Sequence, residues 1–232
     1  MAFEFINVAD AVKKTGLKVI LYGPAGSGKT RTCATTGEPT LIISAEGGLL
    51  SIKDTAPKNI SVAEIHSRAE FEEVLKYLQS EGPPPWVCID SISEIAEIVL
   101  AEEFDKTKMK MQAYGELGIV VTALVKSFRD LPCNVVMTCK QARSKDDSQG
   151  QMLYEPGMPG QKLSAALPHY FDIVAAMRVF KQDDELTHWM QCNRDEQYEA
   201  KDRSGRLELF ETPNLAEIKS KIEGTTKKAK AA

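Results

Sequence analysis

Apolar positions along this chain fall into compact runs and longer periodic stretches that take turns. Val19 to Tyr22, within "KVILYGPAG", is an apolar run closed by glycines and predicts a buried strand. From Lys29 onward the pattern predicts a helix opening. "PTLIISAEGG" gives a second buried strand, Leu41 to Ser44. Over residues 68–80, Phe71, Val74, Leu75 and Leu78 recur at i, i+3, i+4 and i+7, the stripe of an amphipathic helix. "GPPP" stops that helix, and Trp86 opens a third strand, "WVCID". Helices are predicted over about 91–106 and 114–131, followed by a fourth apolar strand, "CNVVMTC".

Residues 141–166 carry glycines, prolines and polar residues with little periodicity, and predict a long loop. "FDIVAAMRVF" and "HWMQCNRD" then predict two strands joined by the turn "KQDDEL". The end, "AEIKSKIEGTTKKAKAA", predicts a short helix and a flexible Lys/Ala-rich tail. Alternating strands and helices point to the α/β class, with a mostly parallel central sheet flanked by helices. The terminal strands are expected to extend that sheet as a hairpin. Expected organisation is a short N-terminal segment (1–16) with Phe3 and Phe5 as packing anchors, a core (17–212), and the helix with its tail (213–232).

At 232 residues, 43% hydrophobic and 27% charged, the composition is that of an ordinary globular domain. No apolar run approaches the ~20 residues of a bilayer span, and no secretory leader opens the chain. A cytoplasmic protein without a membrane partner is expected. Five scattered cysteines, none in a CxxC pair or near a histidine at ligand spacing, argue against a zinc site or a disulfide framework. The net charge of −4 argues against a globally basic nucleic-acid binder and leaves a local basic groove open.

The chemistry concentrates in "GPAGSGKT", which fits G-x-x-x-x-G-K-[ST] in full between a strand and a helix. Gly23, Pro24, Ala25, Gly26, Ser27, Gly28, Lys29, Thr30 and Arg31 are the expected nucleotide-binding residues. Such a loop points backbone N–H groups at phosphates, with help from the helix dipole; Lys29 reaches the β and γ oxygens, and Thr30 ligates Mg²⁺. Asp90, ending "WVCID", is the expected second metal residue, with Ser91 left to cap the next helix. No glutamate follows Asp90 directly, so the group that activates water is sought elsewhere. Glu46, at the end of "LIISAEGG", has a suitable place at the C-terminal edge of a strand. The expected cofactors are ATP and Mg²⁺; no GTPase-type N-K-x-D is present.

Taken together the chain resembles the RecA-type branch of P-loop ATPases, and most closely the small phage-encoded RecA-core proteins of recombination and single-strand annealing. The resemblance rests on "GPAGSGKT", "IISAEGGL", "WVCIDSIS" and "VVMTCKQAR", and covers roughly residues 17–212. It implies Glu46 as catalytic base and Gln141 as a γ-phosphate sensor, beside Lys29. It implies that Arg143, Lys145 and Lys162, in the segment after Gln141, track single-stranded DNA, with Tyr154 available to stack on a base. From "EAKDRSGRL" it implies that Lys201 and Arg203 reach a neighbouring subunit's γ-phosphate, as an arginine finger does.

The partners implied are single-stranded DNA, further copies of the chain in a ring or filament, and a single-stranded-DNA-binding protein. The short N-terminal segment and the lysines of the C-terminal stretch (Lys219, Lys221, Lys227, Lys228, Lys230) depart from full recombinases and favour an annealing or accessory ATPase. The alternatives are a P-loop small-molecule kinase using 143–165 as a lid, a nucleotide switch, and an ATPase acting on a protein partner in phage replication or packaging.

Overall fold

The structure is a computed structural model, and it describes residues 5, 7–55, 57–107, 109–145 and 152–225. A short helix, α1 (Val8–Thr15), precedes β1 (Lys18–Tyr22), α2 (Lys29–Cys33), β2 (Thr40–Ser44) and β3 (Ile60–Glu64). Then come α3 (Arg68–Glu81), β4 (Trp86–Asp90), α4 (Ile92–Lys106) and α5 (Lys110–Arg129). The second half holds β5 (Asn134–Lys145), β6 (Met152–Gly157), α6 (Gln161–Ala166), β7 (Ile173–Gln182) and β8 (Glu185–Gln191). Two short strands, β9 (Lys201–Asp202) and β10 (Phe210–Glu211), and a last helix, α7 (Leu215–Glu223), complete the chain.

The strands run in the order β10-β8-β7-β1-β5-β4-β2-β3, and β7, β1, β5, β4, β2 and β3 are mutually parallel. This is the expected α/β class. β5 lies between β1 and β4, so the strand that feeds the glycine loop and the strand that ends in Asp90 are second neighbours. β7 and β8 pair antiparallel from Ala176↔Gln191 to Gln182↔Glu185, which is the expected hairpin extension. Its turn is two residues, Asp183 and Asp184, both at positive φ, the geometry that matches the twist of a tight hairpin.

Every residue of β1 and β4 is buried, because helices cover both sheet faces and leave no solvated side for alternation to mark. One face packs Ile20, Ile43, Ile89 and Val135 against α3, α4 and α5, where Phe71 and Phe128 stack at 4.4 Å. The other packs Val19, Leu21, Ile42 and Val136 against α2 and α7. A capping box starts α3: Ser67 accepts the Glu70 N–H, and Glu70 returns to the Ser67 N–H.

The structure corrects several expectations. The described part of 141–166 is not a long loop: β5 continues to Lys145 and pairs antiparallel with β6 from Lys140↔Gly157 to Lys145↔Met152, α6 follows, and residues 146–151 lie outside the described residues. β6 ends in a proline and a glycine, Pro156 and Gly157, which hid its strand character. β3 went unpredicted because it is a half-buried edge strand. Phe5 is 99% exposed and anchors nothing, while Phe3 and the tail lysines from Lys227 lie outside the described residues. α7 is docked on the core, with Leu215 and Ile218 buried and the Ala216 N–H donating to Thr35 O.

Candidate nucleotide site

β1 delivers the chain to the glycine loop at Tyr22, opposite Cys139 in the β5 register, and the Gly23 N–H donates to Cys139 O at 3.3 Å. Gly23 admits no side chain, because a Cβ there would stand 2.7 Å from Ser27 Oγ and 2.9 Å from Met177 Cβ. Gly28 holds φ at +91°, a left-handed conformation that disfavours other residues. Ala25 to Arg31 line an open cavity of about 740 Å³, whose walls also include Glu46, Gly48, Met177, His188 and Pro213.

Inside the loop, Lys29 folds back so that Nζ donates to Gly23 O at 2.9 Å and Pro24 O at 3.0 Å. Burial pushes the Lys29 amine below the ordinary lysine range, and the nearby Glu46 and Asp90 carboxylates oppose that shift. The Ser27 hydroxyl is buried without a hydrogen-bond partner in the structure, and a Cβ on Gly26 would meet only open space. Both observations fit a loop shaped to take phosphate oxygens.

Asp90 is 1% exposed at the end of β4 and accepts two hydroxyls. Thr30 Oγ1 donates to its Oδ2 at 2.6 Å, and Thr138 Oγ1, from β5, donates to its Oδ1. A threonine hydroxyl converging on a carboxylate is an oxygen donor set suited to Mg²⁺, which keeps waters and phosphate oxygens as its other ligands. Among the described residues no group of three or more His, Cys, Asp or Glu gathers as a metal site. Ser91 follows through a cis peptide bond and caps α4 by accepting the Glu94 N–H at 3.3 Å, as expected. Its hydroxyl donates to Glu46 Oε1. The backbone agrees: the N–H groups of Ala45 and Glu46 donate to Asp90 O at 2.8 and 3.4 Å. Gly48 comes close to Thr30, whose Oγ1 would stand 3.3 Å from a Cβ, so the glycines after Glu46 permit this approach.

Lys29, Thr30, Arg31, Asp90 and Glu46 are therefore brought together, and other predicted residues are not. Gln141 stands opposite Pro156 and lines a separate recess with Glu97, Lys140 and Met158, outside the cavity around the loop. Lys201 and Arg203 belong to β9 and its exit. Ile173 pairs with Asp202 and Val174 with Lys201, at the start of β7, whereas the glycine loop lies level with the later Ala176. Lys201 donates to Pro168 O, while Arg203 contacts Asp172 Oδ1 at 3.2 Å and His169 O at 3.0 Å.

Arg143 and Lys145 sit on the outer part of β5, and Lys162 is exposed on α6. Arg143 lies over the Tyr154 ring at 5.3 Å; Tyr154 stacks on Tyr198 at 4.6 Å, and Arg178 covers Tyr198 at 3.8 Å. The sequence reading missed His188, Met177 and Thr138. Strand alternation put His188 and Met190 on one face, but only the register with β7 shows that this face meets the glycine loop.

A glycine loop with its lysine and threonine, set one strand away from a buried strand-end aspartate, makes this a P-loop ATPase domain. Within that class the chain belongs to the AAA_24 family, an AAA domain, which matches residues 15–204. Among solved structures it is similar to a KaiC-like protein from the hyperthermophilic archaeon Pyrococcus horikoshii OT3, 13% identical over 74% of this chain and 76% of that one, with a TM-score of 0.39. No curated protein matches the chain. Among the described residues no helix is long and apolar enough to cross a membrane.

Proposed function

We infer that this chain is a Mg²⁺-dependent ATP hydrolase that works on single-stranded DNA in strand annealing or recombination, its active sites completed between subunits. The observation that carries the hydrolase reading is Glu46, a carboxylate lining the same cavity as Lys29 and Thr30 and held by the Ser91 hydroxyl. A kinase has no need of a water-activating carboxylate there, and its expected lid segment is instead occupied largely by the β5–β6 ladder and α6.

Placement supports the following roles. The loop amides and Lys29 hold the phosphates, and Thr30 and Asp90 hold the metal. Mg²⁺ held there would supply positive charge to the phosphate oxygens. Glu46 accepts a proton from the attacking water. Lys201 and Arg203 do not line the cavity of their own subunit, which supports a role at a neighbour's site. The Arg143–Tyr154–Tyr198–Arg178 column supports contact with a nucleic-acid strand through its two cations, which suit phosphates; its rings already stack on each other and on the arginines, so the expected stacking of Tyr154 on a base is not supported.

The test is ATP turnover measured with and without single-stranded DNA, alongside strand binding at low salt. Turnover that rises with DNA is the expected result. Turnover indifferent to DNA, with no strand bound, leaves only the hydrolase.

A further inference from the structure

The β7–β8 hairpin contributes more than an extension of the sheet. Met177 and Met190 face each other across it, and Val179 faces His188, so these side chains share one sheet face. That face meets the glycine loop. A Cβ on Gly28 would lie 3.4 Å from His188 Nδ1 and 3.9 Å from Met177 Cε, and the half-buried His188 lines the same cavity as Lys29 and Glu46. His188 Nδ1 stands 3.1 Å from the Ser27 carbonyl oxygen. A carbonyl can only accept, so Nδ1 carries the proton in this hydrogen bond.

The Ser27 carbonyl and the Gly28 N–H belong to one peptide unit. In a planar trans peptide the C=O and the N–H point to opposite sides. Capture of the carbonyl by the hairpin therefore fixes the direction of the Gly28 N–H, in the middle of the loop that would receive phosphates. The neighbouring anchors act elsewhere: Gly23 N–H is tied to Cys139 O, and Ser27 N–H to Pro24 O. Nothing in those bonds sets the rotation of the Ser27–Gly28 peptide plane.

We propose that His188 is a positioning residue for nucleotide binding, which acts through the Ser27 carbonyl to hold the Gly28 amide ready as a phosphate donor. The inference rests on the cavity being the nucleotide site. A donor aligned before the ligand arrives needs no reorganisation when charge is placed against it. Loss of one such constraint is expected to weaken ATP and ADP binding roughly 3- to 10-fold, the range of a single net hydrogen bond. The effect falls on affinity and KM, with kcat nearly unchanged, because His188 neither activates water nor ligates metal.

Three variants test this. His188→Asn places its amide N–H near the position of Nδ1, His188→Gln reaches toward Nε2 instead, and His188→Ala offers neither. Nucleotide affinity is measured by calorimetry with each folded protein, and the Gly28 amide is followed by NMR in ¹⁵N-glycine-labelled protein without nucleotide. The expected result is weaker binding and a displaced Gly28 resonance in His188→Ala and His188→Gln, with both restored in His188→Asn. Rescue by Gln and not by Asn means that Nε2 touches the ligand directly, and it overturns the proposal. An unmoved Gly28 resonance in His188→Ala overturns it as well. Lys29→Ala keeps the two ideas apart: if wild type and Lys29→Ala bind nucleotide alike, the nucleotide-site reading fails, while the Gly28 resonance still decides whether His188 sets the loop.

Discussion

The hydroxyl of Ser91 donates to the carboxylate of Glu46, which joins the first residue after β4 to the second residue after β2. The same hydroxyl caps α4 through the Glu94 N–H, so its position is set by a helix packed on the core. Glu46 is thereby tied to the end of β4 as well as to its own strand. Glu46→Gln is expected to reduce steady-state ATP turnover by about 10²–10⁴-fold, the usual worth of a general base. Ser91→Ala removes the orienting bond together with the α4 cap; it should lower kcat by about 10-fold, with nucleotide affinity within about twofold of wild type, and cost about 1 kcal/mol of stability. An unchanged kcat in Glu46→Gln would place the base elsewhere.

Asp90 is shared between metal chemistry and stability. Asp90→Asn keeps the shape of the side chain and removes its charge, so the enhancement of nucleotide binding by Mg²⁺ should disappear in calorimetry while the fold persists. Asp90→Ala also strips the acceptor from the Thr30 and Thr138 hydroxyls. Thr138 is fully buried, whereas Thr30 lines the cavity; leaving the Thr138 hydroxyl unpaired costs about 1–3 kcal/mol, so urea denaturation should show a loss of that order for the alanine variant alone.

Sharing of sites between subunits is tested by mixing. A Lys201→Ala protein and a Lys29→Ala protein are each expected to be inactive. Combined, they should recover part of the turnover, because some interfaces then hold an intact loop facing an intact Lys201. No recovery from two folded, assembling variants would count against a finger acting on a neighbour.

Lys18 offers a pH prediction away from the site. It is buried, its Nζ donates to Leu131 O and Cys133 O, and burial lowers its pKa from 10.5 to about 8. In the unfolded chain the amine keeps its proton up to its ordinary range, so between pH 8 and 10.5 the unfolded state binds more protons and stability rises with pH. The cost of holding the charged amine is full below pH 8. Relative to Lys18→Met, wild type should therefore gain stability as pH rises from 7 to 10, by up to about 3 kcal/mol. A constant difference in urea midpoints across that range would refute this.

Much of the fold was legible because β1, β2, β4 and β5 carry unbroken apolar runs and α3 carries a clean stripe. The loop, Lys29, Thr30 and Asp90 were legible for a related reason: their spacing is local, within one strand–turn–helix or at one strand end. What sequence hid was tertiary register. Nothing local says that β5 outlasts the sheet and turns into a second ladder at Lys140, or that Gln141 thereby leaves the phosphate cavity. Likewise His188 is 161 residues from Ser27, and only pairing of β8 with β7 lays it on the loop. Ser91 was visible as a cap; its second bond, to Glu46, depends on β2 and β4 being adjacent.

β5 runs 12 residues without a break, its first half clamped between β1 and β4 and its outer half paired with β6 alone. Thr138, on the clamped half, grips Asp90; Arg143, on the outer half, lies over Tyr154. They lie five residues apart along extended chain, a span of about 17 Å. A strand hydrogen-bonded along its length works as a connecting rod, stiff in tension and without a joint. One piece of chain therefore holds the carboxylate and the tyrosine stack at a set separation.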